Sequence, residues 1–175
     1  LTIAVSKQLM PIYDKPTIYY PLGTLMQAGV REVLIITTPD EQQNFIKLLQ
    51  DGRQFGISIE YATQAKPNGL AEAFIIAKDC GFITDEPCVM ILGDNIFHGN
   101  DAFLKNLIEA NESNNNTIFA YHVADPSAYG VVTFNDEGRV IDLEEKPKIP
   151  KSSHAVPGIY FFDEDVAEIA RQLKK

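Results

Sequence analysis

The chain has 175 residues, 45% hydrophobic and 22% charged, which suits one compact core and falls short of a comfortable two-domain protein. Its formal net charge of -9, with no Lys/Arg stripe interleaved with aromatics, argues against a nucleic-acid polymer as partner, although a small anion could still be met by a few placed lysines and backbone N–H groups. No apolar run reaches membrane-spanning length, residues 1–7 lack a signal-peptide pattern, and Cys80 and Cys88 are too few for a disulfide framework; a cytoplasmic protein with no membrane partner is expected, its thiols acting as small core hydrophobes.

Over residues 15–29 the spacing of Leu22, Leu25 and Met26 is helical, and Pro21 would interrupt an established helix, so the helix is expected to start near Pro21. A strand is predicted at Glu32–Thr37. The helix Asp40–Gln50 follows, with an Asp40/Gln43 capping pair, Phe45, Leu48 and Leu49 on one face, and Gly52 as the stop. Next come a strand at Ile57–Tyr61, a helix at Leu70–Asp79 with Leu70, Ala73, Phe74 and Ala77 on one stripe, and a strand at Pro87–Leu92. The helix Asp101–Asn111 carries Phe103, Leu104, Leu107 and Ile108 on its inward face. This alternation predicts an open, mostly parallel, Rossmann-like sheet with helices on both faces.

After the polar run Glu112–Asn116 the pattern turns antiparallel: strands at Thr117–Val123 and Gly130–Phe134, a turn at Asn135–Gly138, a strand at Arg139–Leu143 and another at His154–Phe162. A final helix at Asp163–Leu173 is expected, capped by Asp163, with Val166, Ile169, Ala170 and Leu173 inward and the last two lysines suiting its C-terminal end.

In an open parallel sheet, ligands bind outside the carboxyl ends of the strands, which makes three segments chemically informative. Asp94, in Leu92-Gly-Asp-Asn95, follows a buried strand and could ligate Mg²⁺ together with phosphate oxygens; the alternative is a plain turn with Asp94 as a cap. Gln64 and Gly69 could read a nucleobase, the amide through its planar donor and acceptor and the glycine by close backbone approach, against the alternative of an ordinary Pro67-Asn-Gly69 turn before a helix. Glu145 could accept hydrogen bonds from sugar hydroxyls and Lys146 could hold a phosphate, against a solvated charge cluster before Pro147. Lys7 is a further candidate for neutralising a triphosphate, or is simply solvated. His98, His122 and His154 have no metal-ligand spacing, and no nucleophilic triad is recognisable.

These segments occur in one order together with Ser6 through Pro16, Tyr19-Tyr-Pro-Leu22, Ile35-Ile-Thr-Thr-Pro39, Gln64 through Ala73, Tyr129-Gly-Val-Val132, Glu144-Glu-Lys-Pro147 and Gly158-Ile-Tyr-Phe161. Over nearly its whole length the chain resembles the sugar-1-phosphate nucleotidylyltransferases, most closely the glucose-1-phosphate thymidylyltransferases. The resemblance implies transfer of a thymidylyl group from dTTP, with UTP as the alternative, to glucose 1-phosphate, giving dTDP-glucose and pyrophosphate in a Mg²⁺-assisted reaction. It assigns the phosphates to Lys7, the pyrimidine to Gln64 and Gly69, Mg²⁺ to Asp94, the glucose site to Gly130, Glu145 and Val156, and the sugar phosphate to Lys146. It also implies a homo-oligomer, by family a tetramer, and a single domain whose residues 1–116 mainly hold the nucleotide and 117–175 the sugar.

Members of that family open with a strand and a Gly-rich loop ending in Gly-Thr-Arg, and they continue past the position of Lys175 with a second Mg²⁺-binding aspartate. A piece of a longer chain is therefore expected, with a gap near the centre of the sheet. Two competing readings remain at this point: a catalytically incomplete nucleotide-sugar binding module of the same fold, and a flavodoxin-like domain using Asp94, which leaves Gln64 and Glu145-Lys146 unexplained.

Overall fold

The computed structural model describes residues 5–66 and 68–173. Readings that fall on residues 1–4, on Pro67 of the expected turn and on the last two lysines lie outside the described residues. A single 3₁₀ turn, Lys7–Leu9, leads into a small hairpin of β1 (Pro11–Ile12) and β2 (Lys15–Pro16), with Tyr13 left-handed at φ 62 in the turn. The hairpin has no alternating apolar pattern, so periodicity passes over it.

Helix α1 (Tyr19–Gln27) starts two residues before Pro21, which is tolerated because the first turn's N–H groups have no intrahelical acceptor. Strand β3 (Glu32–Thr37) and β4 (Ser58–Thr63) pair in parallel from Glu32↔Ser58 to Thr37↔Thr63, joined by α2 (Pro39–Leu49). The Asp40/Gln43 cap does not form. Thr38 is the N-cap, Pro39 opens the helix, and Asp40 and Glu41 fall in the first turn, where the helix dipole favours them. Leu22 and Leu25 of α1, Val33 and Ile35 of β3, and Phe45 and Leu49 of α2 close over Ile57 and Ile59 as the first core.

Helix α3 (Ala71–Asp79), β5 (Cys88–Ile91) and α4 (Asp101–Glu112) follow, with Asn100 Oδ1 accepting the Phe103 N–H at the start of α4. The two long strands expected in the second half each break in two. Thr117–Val123 divides into β6 (Thr117–Ile118) and β7 (Tyr121–His122), and His154–Phe162 into β10 (His154–Val156) and β11 (Ile159–Phe162). The break at Pro157-Gly158 lets the chain change sheets: β10 joins β8 (Gly130–Phe134), β9 (Val140–Glu145) and β7 in the order β7-β10-β8-β9, while β11 runs antiparallel between β5 and β6. Residues from the second half thus complete a sheet begun in the first.

Helix α5 (Val166–Gln172) lies on α3, with Phe74 set edge-on to Phe162 at 5.0 Å. Its start is three residues later than expected. Asp163 accepts the Asp165 N–H and pairs with Asn116 instead of capping, and the buried stripe becomes Val166, Ala167 and Ala170, leaving Ile169 and Leu173 exposed. Leu70, placed inward by periodicity, and Cys80, expected to be a small core hydrophobe, are also exposed because they fall just outside the two ends of α3. Cys88 is half-buried, and burial, with Asp163 adding to it, pushes its thiol up to about 11, consistent with an inert packing role.

The result is a mixed α/β fold in which, among the described residues, parallel pairing is confined to β3 and β4 and these two do not hydrogen-bond to the β5-β11-β6 sheet. A cleft of about 770 Å³ runs between β3 and β5, where the sheet's central gap is expected. Among the described residues no helix is long and apolar enough to cross a membrane.

Candidate active site at the strand ends

The polar groups of the cleft gather where β4 and β5 end. β5 hands over to Leu92-Gly93, and the Cβ that Gly93 lacks would stand 3.1 Å from the Gln8 side chain, so the segment after β5 lies directly on the Lys7–Leu9 turn. This brings Lys7 Nζ to 2.7 Å from Asp94 Oδ2 across 87 residues of sequence. Asn95 Nδ2 donates to the other carboxylate oxygen at 3.1 Å. The Lys7 hydrogen bond first, and its charge and Asn95 with it, hold the Asp94 carboxyl below its usual value against a partial burial that acts the other way.

Gln64, directly after β4, and Gly69, in the loop before α3, line the same cleft as Gln8 and Gly93. The backbone at Gly69 is left-handed, φ +96, where a side chain is disfavoured. The Gln64 amide nitrogen donates to Glu72 Oε2 at 2.6 Å and to the Gly69 carbonyl at 3.3 Å, while Asn68 Nδ2 donates to the other Glu72 oxygen at 2.9 Å. Glu72 sits in the first turn of α3, where the dipole favours a carboxylate.

The third group is a row across the antiparallel sheet. Gly130 of β8 lies between Val156 of β10 and Glu145 of β9 in register. A Cβ on Gly130 would be 3.3 Å from Glu145 Oε2 and 3.9 Å from Val156 Cβ, so the missing side chain is what lets the carboxylate lean over the strand. Lys146 follows with its Nζ 3.3 Å from Glu145 Oε1 and a left-handed backbone, φ 44, held by its N–H to the Tyr129 carbonyl at 3.0 Å. Such a conformation is strained for a non-glycine residue. Burial first, and then the Glu145 charge, push the Tyr160 hydroxyl of β11 up.

Asn95 ties the row to the acidic group. Its Oδ1 accepts the Gly158 N–H at 3.2 Å, two residues after Val156, while Leu92 donates to the Gly158 carbonyl at 2.8 Å. All eight residues singled out from the sequence therefore fall into three neighbouring groups: Lys7 with Asp94, Gln64 with Gly69, and Gly130, Val156, Glu145 and Lys146. Sequence reasoning missed Gln8, Glu72, Asn95 and Gly158. The strand break at Pro157-Gly158 was a readable signal for the last, but the partners of Glu72 and Asn95 arise only on folding. His122 and His154 pair across β7 and β10 with ring centroids 5.9 Å apart, and no group of three or more His, Cys, Asp or Glu among the described residues could hold a metal by itself.

The model of the family described as nucleotidyl transferase matches residues 1–175. A glucose-1-phosphate thymidylyltransferase of Mycolicibacterium smegmatis is 53% identical over 175 residues, covering 100% of this chain and 60% of the relative. The chain thus spans about 60% of the length of the curated relatives it matches. A Bacillus anthracis crystal structure described as a glucose-1-phosphate thymidylyltransferase in complex with a sucrose superposes with a TM-score of 0.87 at 33% identity, over 99% of this chain and 69% of that one. A UDP-glucose pyrophosphorylase complexed with UDP-glucose gives 0.79 at 26% identity, over 96% and 72%. Two polar groups at the ends of β4 and β5, a sheet row tied to one of them through Asn95 and Gly158, and a family match that runs the length of the chain agree: this chain belongs to the nucleotidyl transferase family.

Proposed function

We propose that the protein of which this chain forms the core transfers a thymidylyl group from dTTP to glucose 1-phosphate, releasing pyrophosphate. The observation that carries this reading is the long-range Lys7–Asp94 pair, set between a cleft edged by a base-sized amide and a sheet row suited to a hexose. The sugar phosphate oxygen forms a bond to the α-phosphorus as the α–β phosphoanhydride breaks in line, and pyrophosphate leaves with the electron pair. That chemistry asks for alignment and charge neutralisation, not a protein nucleophile.

Each residue then has a role. Gln64 and Gly69 hold the pyrimidine edge, and Lys7 offsets triphosphate charge. Glu145 accepts hydrogen bonds from glucose hydroxyls, Gly130 leaves them room, Val156 supplies an apolar wall, and Lys146 holds the sugar phosphate. Members of this family generally use a divalent metal. The residues present fit Mg²⁺, because a single strand-end carboxylate, Asp94, with phosphate oxygens completing the shell is a donor set that this hard cation accepts. Mg²⁺ held there would add neutralising charge on the phosphates. Lys7 and Asn95 keep Asp94 ionised and oriented until the nucleotide arrives.

The test is a pyrophosphate-release assay on the full-length protein, crossing dTTP, UTP, CTP and ATP with several sugar 1-phosphates. Release that requires glucose 1-phosphate and a thymine or uracil triphosphate is expected. Absence of release with every pair would overturn the reading.

A further inference from the structure

Strands β9 and β10 run in the same direction, because each pairs antiparallel with β8, which lies between them. Segment 146–153, which joins them, must therefore return over the sheet, and Lys146 is its first residue. Asp142 and Glu144, alternate residues of β9, share one face of the strand, and Glu145 stands on the other. Lys151 grips the first two: its Nζ lies 2.6 Å from Asp142 Oδ2 and 3.8 Å from Glu144 Oε2. The segment is thus tied back to the strand it has just left, on the face opposite Glu145. Hydrogen bonds hold its two ends. The Lys146 N–H donates to the Tyr129 carbonyl at 3.0 Å, Ser152 Oγ donates to the Val132 carbonyl at 2.5 Å, and the Val123 N–H donates to the Ser153 carbonyl at 2.9 Å. Ile149, between them, is 84% exposed.

Lys146 needs such ties. Its backbone is left-handed at φ 44, a conformation that a non-glycine residue keeps only where its surroundings over-determine it. The hydrogen bond from its own N–H enforces the turn from one side, and the hold on the segment that follows enforces it from the other. We propose that Lys151 is a positioning residue: by anchoring segment 146–153 to Asp142 and Glu144, it fixes the turn at Lys146 and with it the place of the Lys146 ammonium, 3.3 Å from Glu145 Oε1. Lys151 acts from the back of β9 and does not itself touch the sugar phosphate. This rests on the reading of Lys146 as the sugar-phosphate contact.

Three variants of the full-length protein test the anchor. K151M keeps the length of the side chain and removes its charge, D142A keeps the lysine and removes its nearer partner, and K151R keeps a cation in place. Amide hydrogen exchange on the peptide containing Lys146 reads the turn without turnover, and pyrophosphate release reads its consequence. In K151M and D142A exchange is expected to quicken and the KM for glucose 1-phosphate to rise by about threefold, the scale of one exposed ion pair. The kcat, the KM for dTTP and the melting temperature should stay unchanged, and K151R should restore both readouts. Exchange and KM equal to wild type in K151M overturn the anchor, and quickened exchange with an unchanged KM overturns its role in placing Lys146. A KM raised in K151M but not in D142A also overturns it, because Lys151 would then meet the phosphate directly. Quickened exchange in a protein that releases no pyrophosphate with any substrate pair keeps the anchor and removes the thymidylyltransferase reading.

Discussion

At the scale of single residues, the site works by making a few charges serve more than one partner. Asp94 accepts from Lys7 and from Asn95, and its remaining lone pairs are those a cation would share. Asp94→Asn keeps the shape and removes the charge, so turnover of the full-length enzyme should drop by about 10²-fold or more, as expected for loss of a preorganised electrostatic contact, with little change in folding stability because an exposed ion pair contributes little. Steady-state rates across a Mg²⁺ titration, read beside a thermal melt, check both halves. Glu145→Gln should raise the KM for glucose 1-phosphate by about tenfold, the scale of a charged hydrogen bond made neutral, and leave the KM for dTTP unchanged; a bisubstrate kinetic matrix separates the two. The identities of these residues were legible from motif order, whereas Glu72 and Asn95 were not. Asn95 holds Gly158 from 63 residues away, and such a hydrogen bond leaves no local trace, whereas the Glu72 contact to Gln64 depends on how the short loop before α3 folds.

At the scale of elements, period and punctuation located most helices and strands because each must bury one face. β3 and β8 match their expected spans to the residue. α4 shows why: Leu107 is fully buried against Ala28, Ile159 and Phe161, and Asn100 caps the first turn. Leu107→Ala should cost about 2–5 kcal/mol, the range for large-to-small changes in a packed core, measurable by urea unfolding. The failures have a shared cause. A run of β-favouring residues says that a segment is extended, but not which sheet takes it. Thr117–Val123 and His154–Phe162 therefore read as two strands and fold as four, each continuing into a different sheet. The α5 boundary failed differently: Asp163 had a tertiary partner in Asn116, which competed with capping.

At the scale of the whole molecule, the carboxylates of Asp94 and Asp142 both titrate below their usual value, each chiefly through a lysine hydrogen bond, from Lys7 and Lys151. A carboxyl whose folded-state pKa is depressed stabilises the fold above its unfolded pKa, and that contribution disappears as pH falls through the folded value. Stability should therefore be flat with respect to these groups near neutrality and decline in the acid range. Melting temperatures of wild type and Asp94→Asn should differ only slightly near neutrality, because the pair is largely exposed, and that small gap should close as the pH is lowered; a gap that persists to strongly acid pH would count against the pairing. The sequence by itself determined most of the helices and strands and the residue types available for phosphate, base and sugar, because side-chain periodicity and chemical identity are local properties. Only the tertiary structure decided that β5 pairs with β11 and not with β3, that Gly130, Val156 and Glu145 form one row, and that Lys7 meets Asp94. Those outcomes depend on register and on partners distant along the chain, where the energy comes from contacts that exist only after the sheets have assembled.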